Sequence, residues 1–294
     1  MHPKNPFKND YDFAALTATE PDLKAYLKTT KANKVSLDFS QPAAVKLLNK
    51  ALLKTTYQVD YWDIPKGALC PPVPGRLDYL LHMADLLEVP HQFGGGKKPK
   101  MKMLDIGTGA SCIYAILANR ALGWSVVATD TDGVALKTAQ AILAANANLK
   151  KGIELRRQRS VEAIFHGVVA PYEQFDLCVC NPPFYASAAE AAAQTNQKWQ
   201  KMRRANEYKR ATRNFGGRDN ELHTKGGEKA FVLQMIRESE ENPKLCRWFS
   251  SLLAKKNHET PIYQALKRAK AKRIEVIPMG QGNKVSRVVA WQMG

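Results

Sequence analysis

From residue 101 onward, short apolar runs alternate with helix-length amphipathic ones, and this rhythm restricts the chain to a layered fold around a mostly parallel sheet. Residues 101–106 read as a strand, 112–122 as a helix, 125–129 as a second strand and 133–147 as a long alanine-rich helix. A third strand at 153–157 and a fourth at 175–180 follow. Beyond a polar stretch, 228–239 reads as a helix, 245–253 as a fifth strand and 262–270 as a further helix. Residues 273–277 and 285–291 flank Gly280-Gln-Gly-Asn283, a hairpin signal. Right-handed crossovers between such strands give an α/β fold with seven strands, six parallel and the last antiparallel. Sheets of this kind carry ligands beyond the carboxyl ends of their strands.

The first 65 residues show no clean strand pattern. Helical spacing runs from 21 to 53 in two pieces, so a helical N-terminal subdomain is expected ahead of a main domain at 66–294. Residues 64–76 hold four prolines and two glycines and read as an ordered loop, 77–89 as a helix, and 94–100 as a basic link. No apolar run reaches the ~20 residues that cross a bilayer, and the first ten residues lack the apolar core of a secretory signal. Five scattered cysteines suit buried thiols in a reducing cytoplasm, and no Cys/His set has zinc spacing. No membrane and no metal are therefore expected, and nothing suggests an obligate dimer.

Leu104-Asp-Ile-Gly-Thr-Gly-Ala-Ser-Cys-Ile113 places two glycines in the turn after the first strand. Glycine allows a sharp turn and close approach of a ligand, yet Walker and Gly-x-Gly-x-x-Gly patterns are both absent, and a plain tight turn remains an alternative. Asp105, within the strand end, suits a cationic amine-bearing ligand such as S-adenosyl-L-methionine. Asp130, 25 residues later at the tip of the second strand, is placed to accept ribose hydroxyls. Asp132 suits a helix N-cap. The fourth strand ends in Asn181-Pro-Pro-Phe184, where two prolines remove two N–H donors. The Asn181 side chain and the Pro182 carbonyl can both accept hydrogens from one planar amine, and Phe184 can stack on the ring that bears it. Such acceptors localise the nitrogen lone pair, so alignment replaces a strong base.

Charge indicates the partner. Lys plus Arg number 44 against 27 acids, a formal net charge of +17, which favours a polyanion. Residues 186–193 are small and helix-prone. Residues 198–218 then hold eight basic side chains and one acid, with Trp199, Tyr208 and Phe215 interleaved. Lys198, Lys201, Arg203, Arg204, Lys209, Arg210 and Arg213, with Tyr185 just before them, suit phosphates and stacked bases of RNA. Residues 186–228 are thus read as a basic substrate-binding insertion, bracketed by Gly216-Gly217 and Gly226-Gly227.

Taken together, His2-Pro-Lys-Asn-Pro6, Leu69-Cys-Pro-Pro-Val-Pro-Gly-Arg-Leu-Asp-Tyr79, the Asp105 turn extended to Tyr114, Asn181-Pro-Pro-Phe184, Asn214-Phe-Gly-Gly217, Gly226-Gly-Glu228 and Gln281-Gly-Asn-Lys-Val-Ser-Arg-Val-Val-Ala-Trp291 span nearly the whole chain. In these motifs the sequence resembles the bacterial 23S ribosomal RNA adenine-N6 methyltransferases. More distantly it resembles the methyltransferase-like enzymes that modify U6 small nuclear RNA. The resemblance implies a Rossmann-like methyltransferase fold, S-adenosyl-L-methionine as donor and an adenine of 23S rRNA as acceptor. By position it implies Asp105, Gly107, Thr108 and Gly109 around the methionine moiety, Asp130 at the ribose and Arg76 at the donor carboxylate. Asn181, Pro182 and Phe184 would then meet the acceptor base, with Asn181 also touching the donor. Ala115 stands where that pattern has proline, and Phe7-Lys-Asn stands in a segment usually richer in Arg and Gly. A protein glutamine-N5 methylase and a non-catalytic RNA-binding assembly factor are the competing readings. The charge and Phe184 weigh against the first, and the intact Asp105, Asp130 and Asn181 against the second.

Overall fold

The computed structural model describes residues 1–89, 100–183, 226–281 and 284–294. Phe184, Tyr185, the helix-prone run at 186–193, the basic segment at 198–218 and the basic link up to residue 99 lie outside the described residues.

The N-terminal part begins with α1 (Phe13–Thr19), whose first turn is capped by the Asp12 side chain, and a 3-10 turn (Pro21–Tyr26). Two short strands, β1 (Leu27–Thr29) and β2 (Val35–Leu37), pair antiparallel before α2 (Pro42–Tyr57). The helical reading of residues 1–65 therefore missed a hairpin: three-residue strands are too short to show an alternation. Pro42 opens α2, where its missing N–H costs nothing.

Helix α3 (Val73–Leu86) begins four residues earlier than the proline-rich loop suggested. Pro74 is tolerated in the first turn, and the N–H of Val73 is satisfied by Asn49 Oδ1 at 3.3 Å. The chain then enters β3 (Lys102–Ile106), α4 (Ile113–Leu117) with a π-helical turn (Ala118–Leu122), β4 (Ser125–Asp130), α5 (Gly133–Ala145), β5 (Ile153–Arg157) and β6 (Phe175–Cys180). It finishes with α6 (Gly227–Glu241), β7 (Cys246–Leu253), α7 (Glu259–Arg268), β8 (Arg273–Gln281) and β9 (Lys284–Gln292). All seven strands expected from the alternation are present.

The sheet order is β5-β4-β3-β6-β7-β9-β8. β9 is antiparallel to both of its neighbours, and the other pairings are parallel, so six strands share one direction. Because successive side chains point to opposite faces, β3, β4, β6, β7 and β9 each feed two apolar layers. Met103, Val126, Leu177, Trp248 and Val288 pack with α2, α3 and α4. Leu104, Val127, Cys178, Phe249 and Val289 pack with α6 and α7. Strands buried on both faces are the expected state of a parallel sheet.

One connection departs from the β-α rhythm. Residues 158–174, between β5 and β6, form turns and bends without a helix. They are held by a fully buried carboxylate, Glu238 of α6, which accepts the backbone N–H groups of Ile164 (2.9 Å), Phe165 (2.7 Å) and His166 (3.1 Å). Charged acceptors of this kind replace the internal bonds that a helix would have made.

Candidate active site

The chain leaves β3 towards β4 and β5, then returns to β6 on the other side of β3. The carboxyl ends of β3 and β6 therefore flank the switch point, the place where open α/β sheets form a crevice. The register brings the sequence motifs level there. Ile106 pairs with Cys180 on one side and Thr129 on the other, so Gly107 and Asn181 each stand one residue beyond the paired ends, level with Asp130, the last residue of β4.

The glycine turn is a backbone device. Gly107 and Gly109 have φ of 72° and 65°, a region that favours glycine. A Cβ at Gly107 would meet nothing within 4 Å, so conformation rather than crowding demands glycine and leaves open space above the turn. The N–H groups of Gly107 and Thr108 both donate to Thr129 O, and Gly109 N–H donates to Asp130 Oδ2 at 2.8 Å. The other Asp130 oxygen accepts the Asp132 N–H, also at 2.8 Å. Asp132 caps α5 by accepting from Val134 N–H, as expected.

Asp105 shares the sheet face of Met103, against α3 and α4, and is 0% exposed. Neither carboxylate oxygen makes a well-formed hydrogen bond, and the Thr108 hydroxyl beside them lies close enough to favour the charged form without completing one. Burial pushes the Asp105 carboxyl up to about 7, a rise that Asp130 reinforces and that Thr108 and Arg76 oppose. An unpaired buried carboxyl is costly in a folded protein. Its natural complement is a cation with several N–H donors.

Arg76 arrives from α3. His2 and Asn5 tie the chain start to this helix through His2 N–H to Asp78 Oδ1 (2.6 Å) and Asn5 Nδ2 to Pro74 O (3.0 Å). Tyr79, one turn beyond Arg76 and fully buried, donates to Ser250 Oγ at 2.8 Å, which donates to Cys178 O at 2.6 Å. These bonds fix α3 against the sheet. The Arg76 guanidinium then donates through Nη1 to Tyr114 Oη (3.0 Å) and to Asn181 Oδ1 (3.4 Å). Residues 105 positions apart in sequence thus meet at the crevice. Pro182 is buried behind Asn181, and no described residue donates to its carbonyl.

The family model described as RNA methyltransferase matches residues 1–294. The chain belongs to this RNA methyltransferase family. The Ribosomal RNA large subunit methyltransferase F of Yersinia enterocolitica (serotype O:8 / biotype 1B) is 44% identical over 291 residues, covering 99% of this chain and 87% of the relative. That of Yersinia pestis (strain Pestoides F) is 46% identical over 294 residues with the same coverage. The human METTL16 catalytic domain in complex with MAT2A 3′UTR hairpin 1 superposes with a TM-score of 0.82 at 29% identity, covering 100% of this chain and 96% of that one. The N-terminal domain of human METTL16 in complex with SAH gives 0.77 at 28% identity, covering 100% and 99%. The protein is an S-adenosylmethionine-dependent RNA methyltransferase with the α/β methyltransferase fold.

In this methyltransferase, Arg76, Asp105, Gly107, Thr108, Gly109, Asp130, Asn181 and Pro182 converge on one crevice. Phe184, Tyr185, Lys198, Lys201, Arg203, Arg204, Lys209, Arg210 and Arg213 lie outside the described residues. All five cysteines are free and buried. Among the described residues no cluster of His, Cys, Asp or Glu is arranged to hold a metal, and no helix is long and apolar enough to cross a membrane. The sequence reading singled out neither Tyr114 as a partner of Arg76 nor Glu238 as the anchor of residues 164–166. Each acts across the fold, and no local pattern marks it.

Proposed function

We propose that this methyltransferase modifies the exocyclic N6 amine of one adenine in 23S ribosomal RNA. The names of the Yersinia relatives support a ribosomal substrate. The Asn-Pro-Pro turn level with the glycine loop at the switch point supports an adenine amine, and this observation carries the reading.

When bound, S-adenosylmethionine supplies a methyl group on a positively charged sulfur, activated towards a neutral nitrogen. The residues fit such a donor: the orphaned Asp105 carboxylate answers an ammonium group, and the Arg76 fork answers a carboxylate. Gly107, Thr108 and Gly109 let the donor approach the backbone. Asp130, at the tip of β4 beside the glycine turn, accepts the ribose hydroxyls.

Asn181 Oδ1 and the Pro182 carbonyl accept the two amine hydrogens, which draws the nitrogen towards tetrahedral geometry and aims its lone pair. No strong base is needed, because the proton can leave after transfer. Phe184 stacks on the adenine. Lys198, Lys201, Arg203, Arg204, Lys209, Arg210 and Arg213, with Tyr185, hold the surrounding RNA, and the enzyme acts as a cytoplasmic monomer.

The test is incubation with tritiated donor and fractionated RNA, followed by nucleoside analysis: label in N6-methyladenosine from 23S rRNA is expected, and label in protein glutamine overturns the reading. Asn181→Ala should abolish transfer while donor affinity stays within a few-fold.

A further inference from the structure

The Arg76 guanidinium is only half used. Its Nη1 hydrogens go to Tyr114 Oη and Asn181 Oδ1, while Nε and Nη2 donate to no described residue. That leaves one two-pronged edge of a planar cation, the geometry that matches a carboxylate. Tyr114 is 4% exposed, and among the described residues its own hydroxyl proton has no acceptor. Its ring stands edge-on to Tyr79 at 5.5 Å, and the Arg76 Cζ lies 5.5 Å from its centroid, so the phenol is fixed in place.

A guanidinium only donates, so the amide carbonyl of Asn181 must face it, and one of the two Oδ1 lone pairs remains for the acceptor amine. Resting on the donor assignment above, we propose that Arg76 bridges the two halves of the site: its Nε–Nη2 edge takes the donor carboxylate while Nη1 fixes the Asn181 amide, and Tyr114 is the positioning residue that holds the bridge. Burial keeps the Tyr114 phenol protonated, so it meets the guanidinium as a neutral hydroxyl acceptor at every working pH. Because the guanidinium is rigid, seating the carboxylate also seats the amide that grips the base.

Tyr114→Phe retains the ring and removes the hydroxyl. Three quantities are read: the Kd of S-adenosylhomocysteine, the Kd of 5′-methylthioadenosine, which lacks the amino-acid half, and kcat at saturating donor. The variant should bind S-adenosylhomocysteine roughly tenfold more weakly, the scale of one hydrogen bond to a charged group. It should bind 5′-methylthioadenosine as the native enzyme does, and its kcat should fall even when donor is saturating. Arg76→Lys, which keeps the charge but not the fork, should show both losses more strongly.

Equal weakening towards both ligands would reduce Tyr114 to a packing residue and overturn the proposal. So would a weaker Kd with unchanged kcat, because the link to Asn181 would be absent, and so would no change in either. If the native enzyme binds neither ligand, the donor assignment itself fails, independently of Tyr114.

Discussion

Replacing Asp105 by asparagine should make the donor-free protein more stable while stripping it of donor affinity, and the size of the effect follows from burial. In the unfolded chain this carboxyl releases its proton near 3.8, and in the crevice release is pushed up to about 7. Between those values the folded state holds a proton that the unfolded state has lost. Stability therefore falls as pH rises through the window and levels off above it. Three pH units at ~1.4 kcal/mol each amount to about 4 kcal/mol. Asparagine has no proton to lose, so the stability difference between variant and native enzyme should grow in the variant's favour from pH 4 to pH 7 and then stay flat. Using the difference removes the opposite contributions of carboxylates such as Glu173, whose ion pairs with Arg156 and Lys102 hold it down at about 2 and are lost only in acid. Urea denaturation across pH 4–8 measures the first effect, and calorimetric titration with S-adenosylhomocysteine the second. Native affinity should weaken about tenfold per pH unit below 7, because the ammonium requires the ionised carboxylate, and the variant should lose this slope. A stability difference that does not vary with pH, or native binding indifferent to pH, would refute the assignment of Asp105 as an unpaired acid awaiting a cation.

Charge reversal at Arg203 and Arg204 should weaken RNA binding and reduce the slope of log affinity against log salt by about two; an unchanged slope assigns the RNA surface elsewhere. Glu238→Ala would leave the N–H groups of Ile164, Phe165 and His166 unpaired. A loss of about 3 kcal/mol or more in urea denaturation is expected from burying unsatisfied donors, and a loss under about 1 kcal/mol would show that water or a rearranged loop replaces the carboxylate.

The periodicity of residues 101–291 by itself determined the seven strands, their order of appearance and the antiparallel last strand, because β3, β4, β6 and β7 are buried on both faces and advertise this as near-continuous apolar runs, while the helical spacing between them and the hairpin signal mark the rest. Asp105, the glycine turn and Asn181-Pro-Pro were legible for a related reason: conformational demands on glycine and proline are local. The hairpin at 27–37 was not legible, since Leu27 and Leu37 find each other through pairing rather than pattern. The helix at Val73 was hidden by prolines that block a helix interior but not its first turn. Only the tertiary structure decided that Arg76, Tyr114 and Asn181 share one cluster, and that Asp105 stands there without a partner. Those facts depend on register across β3 and β6 and on the docking of α3, which are settled by packing free energy summed over the whole core and leave no trace in any short window of sequence.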